Sequence, residues 1–115
     1  MVLLLITIDL KDDYLGGDLF KLDEILSSLD AQEGYRAHSV NRDLRNQSQL
    51  LLIAEWKSEE AVERYMQTDE FKLLIQTIKM VGKKYAVSFV SVLSSGGLEL
   101  PKERIVSSLE EVPGE

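Results

Sequence analysis

Apolar residues dominate the start of the chain. Val2, Leu4, Ile6 and Ile8 point one way in an extended reading, and Leu3, Leu5, Thr7 and Asp9 point the other. A strand with one wet face would alternate more cleanly, so Val2 to Leu10 is expected to be a strand covered on both sides. The period then changes. Leu19, Leu22, Ile25, Leu26 and Leu29 recur at helical spacing opposite Lys21, Asp23, Glu24 and Ser28, after a polar loop with Gly16-Gly17 and a capping Asp18. Gly34 ends that connection, Tyr35 to Leu44 alternates loosely as a second strand, and Arg45 to Ser48 is a polar hairpin loop.

The clearest transition follows. Gln49 to Trp56 is a near-continuous apolar run, the third strand, and Ser58 caps a helix with Glu59 and Glu60 in its first turn. Ala61, Val62, Tyr65 and Met66 form its buried stripe. Thr68-Asp69-Glu70 is a second cap followed by acids, so the helix is expected to break there and continue through Phe71, Leu74, Ile75, Ile78 and Val81. Gly82 is expected to act as a glycine just past the helix end, with Lys79, Lys83 and Lys84 near the negative end of the dipole. Tyr85 to Leu93 is the fourth strand, Ser94 to Gly97 a joint, and Ile105, Val106 and Leu109 predict a short helix beyond Pro101.

The order is β-α-β-β-α-β plus a tail. It predicts an α+β, ferredoxin-like domain over residues 1–95, with a four-stranded antiparallel sheet, and a C-terminal tail over 96–115 that could cross to a partner. Two helices cover one face of such a sheet. The apolar residues on its other face then call for a second copy packed sheet to sheet, a two-fold homodimer forming a dimeric α/β barrel.

Composition narrows the function. The 115 residues suffice for one core, and 13 basic against 20 acidic residues leave a net charge of −7. With no Lys/Arg cluster, this is a poor match to nucleic acid, whose phosphates must be neutralised. There is no cysteine, hence no disulfide, thiolate site or cysteine nucleophile, which suits the cytoplasm. The apolar start is too short to span a bilayer and lacks the basic flank of a signal peptide, so no membrane partner is expected. One histidine and no cysteine give no metal cluster, and neither glycine pair has the strand-helix context of a phosphate loop.

Candidate chemistry rests on few side chains. His38 could act as a general base, or be a surface or interface histidine. Tyr65 could donate a hydrogen bond to a quinol or carbonyl oxygen, or be a core aromatic; Trp56 could stack on a flat ligand, or anchor the strand end. Asn41, Arg42 and Asp43 could orient a ligand or pair across a dimer. Glu55, in a buried strand, needs a partner, for which Arg36 or Arg42 are the nearest candidates.

Glu33-Gly34-Tyr35, Asn41-Arg42-Asp43, Ala54 to Ala61 and Thr68-Asp69-Glu70-Phe71, in that order, resemble the antibiotic biosynthesis monooxygenase family of dimeric α/β barrels. The resemblance spans roughly Val2 to Leu93. It implies a homodimer with a small apolar pocket between sheet and helices in each protomer, and a cofactor-independent monooxygenase acting on a small phenol or quinol. Trp56, Tyr65, Asn41 and Phe71 would contact that ligand, with Tyr65 and His38 the catalytic candidates and no metal or cofactor required. Quinol-type members commonly carry histidines where this chain has Tyr65 and Glu70. A non-catalytic binding or assembly module of the same fold is the alternative. Haem-degrading members place their iron ligand at what is Ile75 here, and isoleucine cannot ligate iron.

Overall fold

A computed structural model of the chain describes residues 1–14, 20–92 and 102–111. Strand β1 (Val2–Leu10) lies at the centre of the sheet, because it pairs on both edges. It runs antiparallel to β3 (Gln49–Trp56), from Val2 opposite Trp56 to Asp9 opposite Gln49, and antiparallel to β4 (Gly82–Ser91) on its other side. β2 (Tyr35–Arg42) pairs with the free edge of β3, giving the order β2-β3-β1-β4. This is the ferredoxin-like α+β arrangement expected from the element order.

The apolar run of β1 sorts itself in burial. Val2, Leu4, Ile6, Ile8 and Leu10 are buried, whereas Leu3 and Leu5 on the opposite face are half-buried and Thr7 is exposed. The buried set joins Leu50, Leu52, Ala54 and Trp56 of β3 and Tyr85, Val87 and Phe89 of β4 in one core. Helices α1 (Phe20–Leu26), α2 (Glu59–Met66) and α3 (Asp69–Val81) complete that core. α2 packs on β1 and β3, and α3 on β4 and α1. Leu3, Leu5, Leu51, Ile53 and Ala86 face away from the core cluster and, among the described residues, no helix covers them. No helix among the described residues is long and apolar enough to cross a membrane.

Both expected helix starts are present. Ser58 Oγ accepts from Ala61 N at 3.2 Å and Thr68 Oγ1 from Phe71 N at 3.2 Å, so the two caps split one apolar stripe into α2 and α3. The first helix is shorter than its period suggests. It tightens into a 3-10 turn at Ser27–Ala31, where Ser27 Oγ and Ser28 Oγ donate to the carbonyls of Glu24 and Ile25 three residues back. Its expected cap, Asp18, lies outside the described residues.

Three expectations are corrected. The second strand ends at Arg42 rather than Leu44, because Asp43 Oδ1 accepts from the backbone N–H groups of Arg45 and Asn46 and closes the loop. Gly82 is extended (φ −109°, ψ 147°) and not left-handed, so the chain passes straight from α3 into β4. A glycine is needed there for close approach: a Cβ would lie 2.8 Å from Ile8 Cγ2. Residues Lys102–Glu111, read as a short helix, form β5, which pairs antiparallel with the outer edge of β4 in its own chain. An unpaired strand edge is a template for another strand, and the β-branched pair Ile105-Val106 suits one. The joint over residues 94–97 lies outside the described residues.

Candidate active site

Trp56 ends β3 and is fully buried. It shares the helix-facing side of the sheet with Tyr35, its partner on β2, and there α2 delivers Tyr65 about two turns beyond the Ser58 cap. The rings of Trp56 and Tyr65 stack with centroids 4.9 Å apart and planes 29° from parallel. Phe71, at the start of α3, meets Tyr65 edge-on at 5.3 Å. Thr68 fixes both: its hydroxyl donates to the Tyr65 carbonyl at 2.6 Å while accepting from Phe71 N.

On the other side of Trp56 the cluster continues. Tyr35 approaches Trp56 edge-on at 5.8 Å, and its hydroxyl lies 2.7 Å from His38 Nδ1. Residues three apart on a regular strand face opposite ways. Here the register of β2 shifts between Tyr35 and Ala37, and this bulge puts Tyr35 and His38 on one face. His38 is thus half-buried on the helix side of the edge strand. Tyr35 is the site residue that reading the sequence missed, since its role depends on a bulge that leaves no residue signature.

The electrostatics follow from burial. The Tyr65 phenol is pushed well above the usual tyrosine range, first by burial and second by the Glu70 carboxylate. Tyr35 is also raised, by burial first and then by Asp30 and Glu55. Both therefore stay protonated and able to donate across the neutral range. Trp56 Nε1 is buried without a hydrogen-bond partner among the described residues.

Little open space adjoins this cluster inside the core. The gap lined by Leu4, Leu26, Leu29, Leu52, Tyr65 and Leu74 amounts to about 10 Å³, at the lower limit for a single water. Tyr65 is also a wall of a surface groove of about 280 Å³, shared with Gln32, Glu33, Ala61, Arg64, Gln67 and Thr68. At its rim Arg64 and Glu33 pair at 3.4 Å.

The structure therefore brings four of the five predicted site residues into one chain of rings: His38, Trp56, Tyr65 and Phe71. Asn41 stands apart. It is opposite Leu51, on the sheet face away from the helices, where its amide donates to Ser39 Oγ and the Leu51 carbonyl. There it lines a cleft of about 470 Å³ with Thr7, Asp9, Asp43, Gln49 and Lys84. The expected pairing of Glu55 is not found. Glu55 sits opposite Ala37, while Arg42 sits opposite Leu50, five residues or roughly 16 Å along the strand, and no ion pair to Arg36 forms among the described residues. Among the described residues no cluster of three or more His, Cys, Asp or Glu could hold a metal ion.

Comparison with known proteins gives a consistent picture. The model of the family described as antibiotic biosynthesis monooxygenase matches residues 1–77. No curated protein sequence matches the chain. Among solved structures, an antibiotic biosynthesis monooxygenase is similar at a TM-score of 0.68 and 16% identity, over 82% of this chain and all (100%) of the other. Rv0793 from Mycobacterium tuberculosis is similar at 0.70 and 14%, over 84% of this chain and 98% of that one. SnoaB from Streptomyces nogalater, a cofactor-independent oxygenase crystallised in a mutant form, is similar at 0.64 and 12%, over 82% and 94%. At these identities the structural likenesses speak for the fold.

Proposed function

The chain belongs to the antibiotic biosynthesis monooxygenase family, and from that premise we propose that it is a cofactor-independent monooxygenase acting on a small phenol- or quinol-like aromatic. The observation that carries this reading is the stacked Trp56–Tyr65 pair with Phe71 at its edge, set between the sheet and the helices. A flat substrate would enter from the groove beside Arg64 and Gln67, displace the Tyr65 ring and take its place against Trp56. The displaced Tyr65 phenol, protonated at neutral pH even at its ordinary value of 10.0, would donate a hydrogen bond to the substrate oxygen as the reduced ring passes an electron to dioxygen. In the overall balance a ring C–H and the phenol O–H (together a ring CH₂ in the keto tautomer) give up their hydrogens, that ring carbon becomes C=O, and the second oxygen atom leaves as water with the two hydrogens. His38 lies too far along the ring chain to touch such a substrate directly, so its role would be exercised through Tyr35.

Assembly belongs to the same proposal. The face bearing Leu3, Leu5, Leu51 and Ile53 would pack against its copy in a two-fold homodimer within the cytoplasm. A second reading, a binding or assembly module without turnover, is favoured by one observation, the nearly filled interior gap of about 10 Å³.

Oxygen uptake with a panel of naphthoquinols and anthrones separates the two. Wild-type turnover above the spontaneous rate, reduced at least tenfold by Tyr65→Phe, is the result expected of an oxygenase. Substrate-independent uptake across the panel, with quinol binding still visible by quenching of Trp56, would favour the binding module.

A further inference from the structure

The five rings are in edge or face contact from one end to the other: Phe71, Tyr65, Trp56, Tyr35 and His38, with successive centroids 5.3, 4.9, 5.8 and 6.0 Å apart. Three of them, Tyr65, Trp56 and Tyr35, can lose one electron without breaking a carbon bond. Their ability to hold the resulting hole depends on where the proton goes. Trp56 has no base at its indole N–H among the described residues, so its radical cation keeps its proton and remains strongly oxidising. Tyr35 has a base at hydrogen-bond distance, His38 Nδ1 at 2.7 Å. Losing an electron makes a phenol strongly acidic, and a proton shift across this bond gives a neutral phenoxyl radical and an imidazolium. The buried middle of the chain is Tyr65 and Trp56, 2% and 0% exposed, whereas Phe71 at one end and Tyr35 and His38 at the other are half-buried.

We infer that the ring chain is a conduit for oxidising equivalents, carrying a hole from the buried Tyr65–Trp56 pair out to a redox-active Tyr35–His38 couple at the protein edge. The oxidant is a peroxyl or hydroperoxyl radical held against Trp56. It accepts one electron from Trp56 and becomes the corresponding peroxide anion. Trp56 is restored by an electron from Tyr35, whose hydroxyl proton passes to His38. The sum is one peroxyl radical, one Tyr35–OH and one neutral His38 giving one peroxide anion, one Tyr35 phenoxyl radical and one His38 imidazolium. A low-molecular-weight thiol or ascorbate at the surface then reduces the phenoxyl, and His38 returns the proton. The source of the radical rests on the oxygenase reading; the conduit itself does not. It would spare a buried indole that has nowhere to put its proton.

A photochemical test needs no substrate, so it stands or falls apart from oxygenase activity. The whole protein is excited with a tris(bipyridine)ruthenium photosensitiser and a sacrificial electron acceptor. Transient absorption follows the conversion of indole radical to tyrosyl radical, and freeze-quench electron paramagnetic resonance reads the product. Trp56 is the one tryptophan in the chain, so the indole signal has a single origin. Wild type should convert indole to tyrosyl radical, with a rate slowed at least twofold in deuterium oxide. Tyr35→Phe keeps the ring contact and removes the hydroxyl. It should lengthen the indole lifetime and lower the tyrosyl yield at least fivefold. His38→Gln should slow the conversion and abolish its isotope effect. Circular dichroism confirms that each variant folds. A tyrosyl yield and indole lifetime unchanged in Tyr35→Phe, or a rate and isotope effect unchanged in His38→Gln, would overturn the conduit.

Discussion

Gly34→Ala is the substitution whose cost can be worked most directly from the geometry. Gly34 has φ +87°, in the region L side chains rarely adopt, and its carbonyl accepts from Lys57 N at 2.8 Å. An alanine there carries about 1–2 kcal/mol of backbone strain. Its Cβ would also stand 2.5 Å from the Ala61 Cβ on α2, far inside any tolerated contact. Forcing α2 away from the strand adds overpacking of about 1–3 kcal/mol. The sum is about 2–5 kcal/mol. In urea, with a slope of about 1–3 kcal/mol per molar, a middle value near 3 kcal/mol lowers the midpoint by roughly 1–3 M.

Ala61→Gly separates the two contributions. Alone it costs about 1–2 kcal/mol, as glycine in a helix and as a buried methyl lost from the core. Combined with Gly34→Ala it removes the clash and leaves the strain, so the double variant should recover about 1–3 kcal/mol of coupling. Urea unfolding followed by circular dichroism measures all four corners of the cycle. The reasoning is refuted if Gly34→Ala costs less than about 0.5 kcal/mol, the level of an ordinary surface substitution. The contact with Ala61 is refuted if the cost is the same in both backgrounds.

Ser58→Ala should cost about 1 kcal/mol as a lost cap, and Thr68→Ala somewhat more, because Thr68 also binds the Tyr65 carbonyl; chemical denaturation gives both, and Thr68→Ser should restore most of the loss. Tyr65 is held protonated in the folded state above its ordinary value of 10.0, so the unfolded chain binds fewer protons once pH passes that value. Stability should therefore fall as pH rises beyond about 10, by at most about 1.4 kcal/mol per unit from this group, and Tyr65→Phe should flatten that fall in urea titrations at alkaline pH. Leu5→Asp, on the sheet face away from the helices, should convert a dimer near twice 13.0 kDa into a folded monomer in sedimentation equilibrium; an unchanged mass would remove that face from the interface.

The scaffold was legible because each element carries its own period. The β3 boundaries, the Ser58 cap and the helix break at Thr68 were all visible as local changes in pattern, and local chemistry decides them. What failed to show depends on relations between distant segments. Gly82 reads as a left-handed helix end, but the space beside Ile8 on β1 is what excludes a side chain there. Ile105 to Leu109 carries a spacing that serves a helix or a strand, and the open edge of β4 decides for the strand. The site divides in the same way. Trp56, Tyr65 and Phe71 stand at positions fixed by element ends and caps, so their convergence could be foreseen. Asn41 was one residue out of phase with the helix-facing side of β2, and the bulge that joins Tyr35 to His38 has no marker among the residues themselves.

The filled interior and an oxygenase reading conflict less than the small gap suggests. Tyr65 is the side chain that lines both the interior gap and the outside groove. Its aromatic contacts with Trp56 and Phe71 are worth about 0.5–1.5 kcal/mol each beyond the area they bury. A flat aromatic ligand that took its place would remake the stack on Trp56 and could offer an oxygen to the unpaired indole N–H, offsetting much of that loss. The displaced ring would move toward the groove while its backbone stayed pinned by Thr68. An aliphatic ligand would recover neither the stack nor the hydrogen bond. On the proposed oxygenase reading, the same packing that closes the interior to water would select for a planar, oxygen-bearing ring, and selectivity would come from what replaces Tyr65 rather than from a standing cavity.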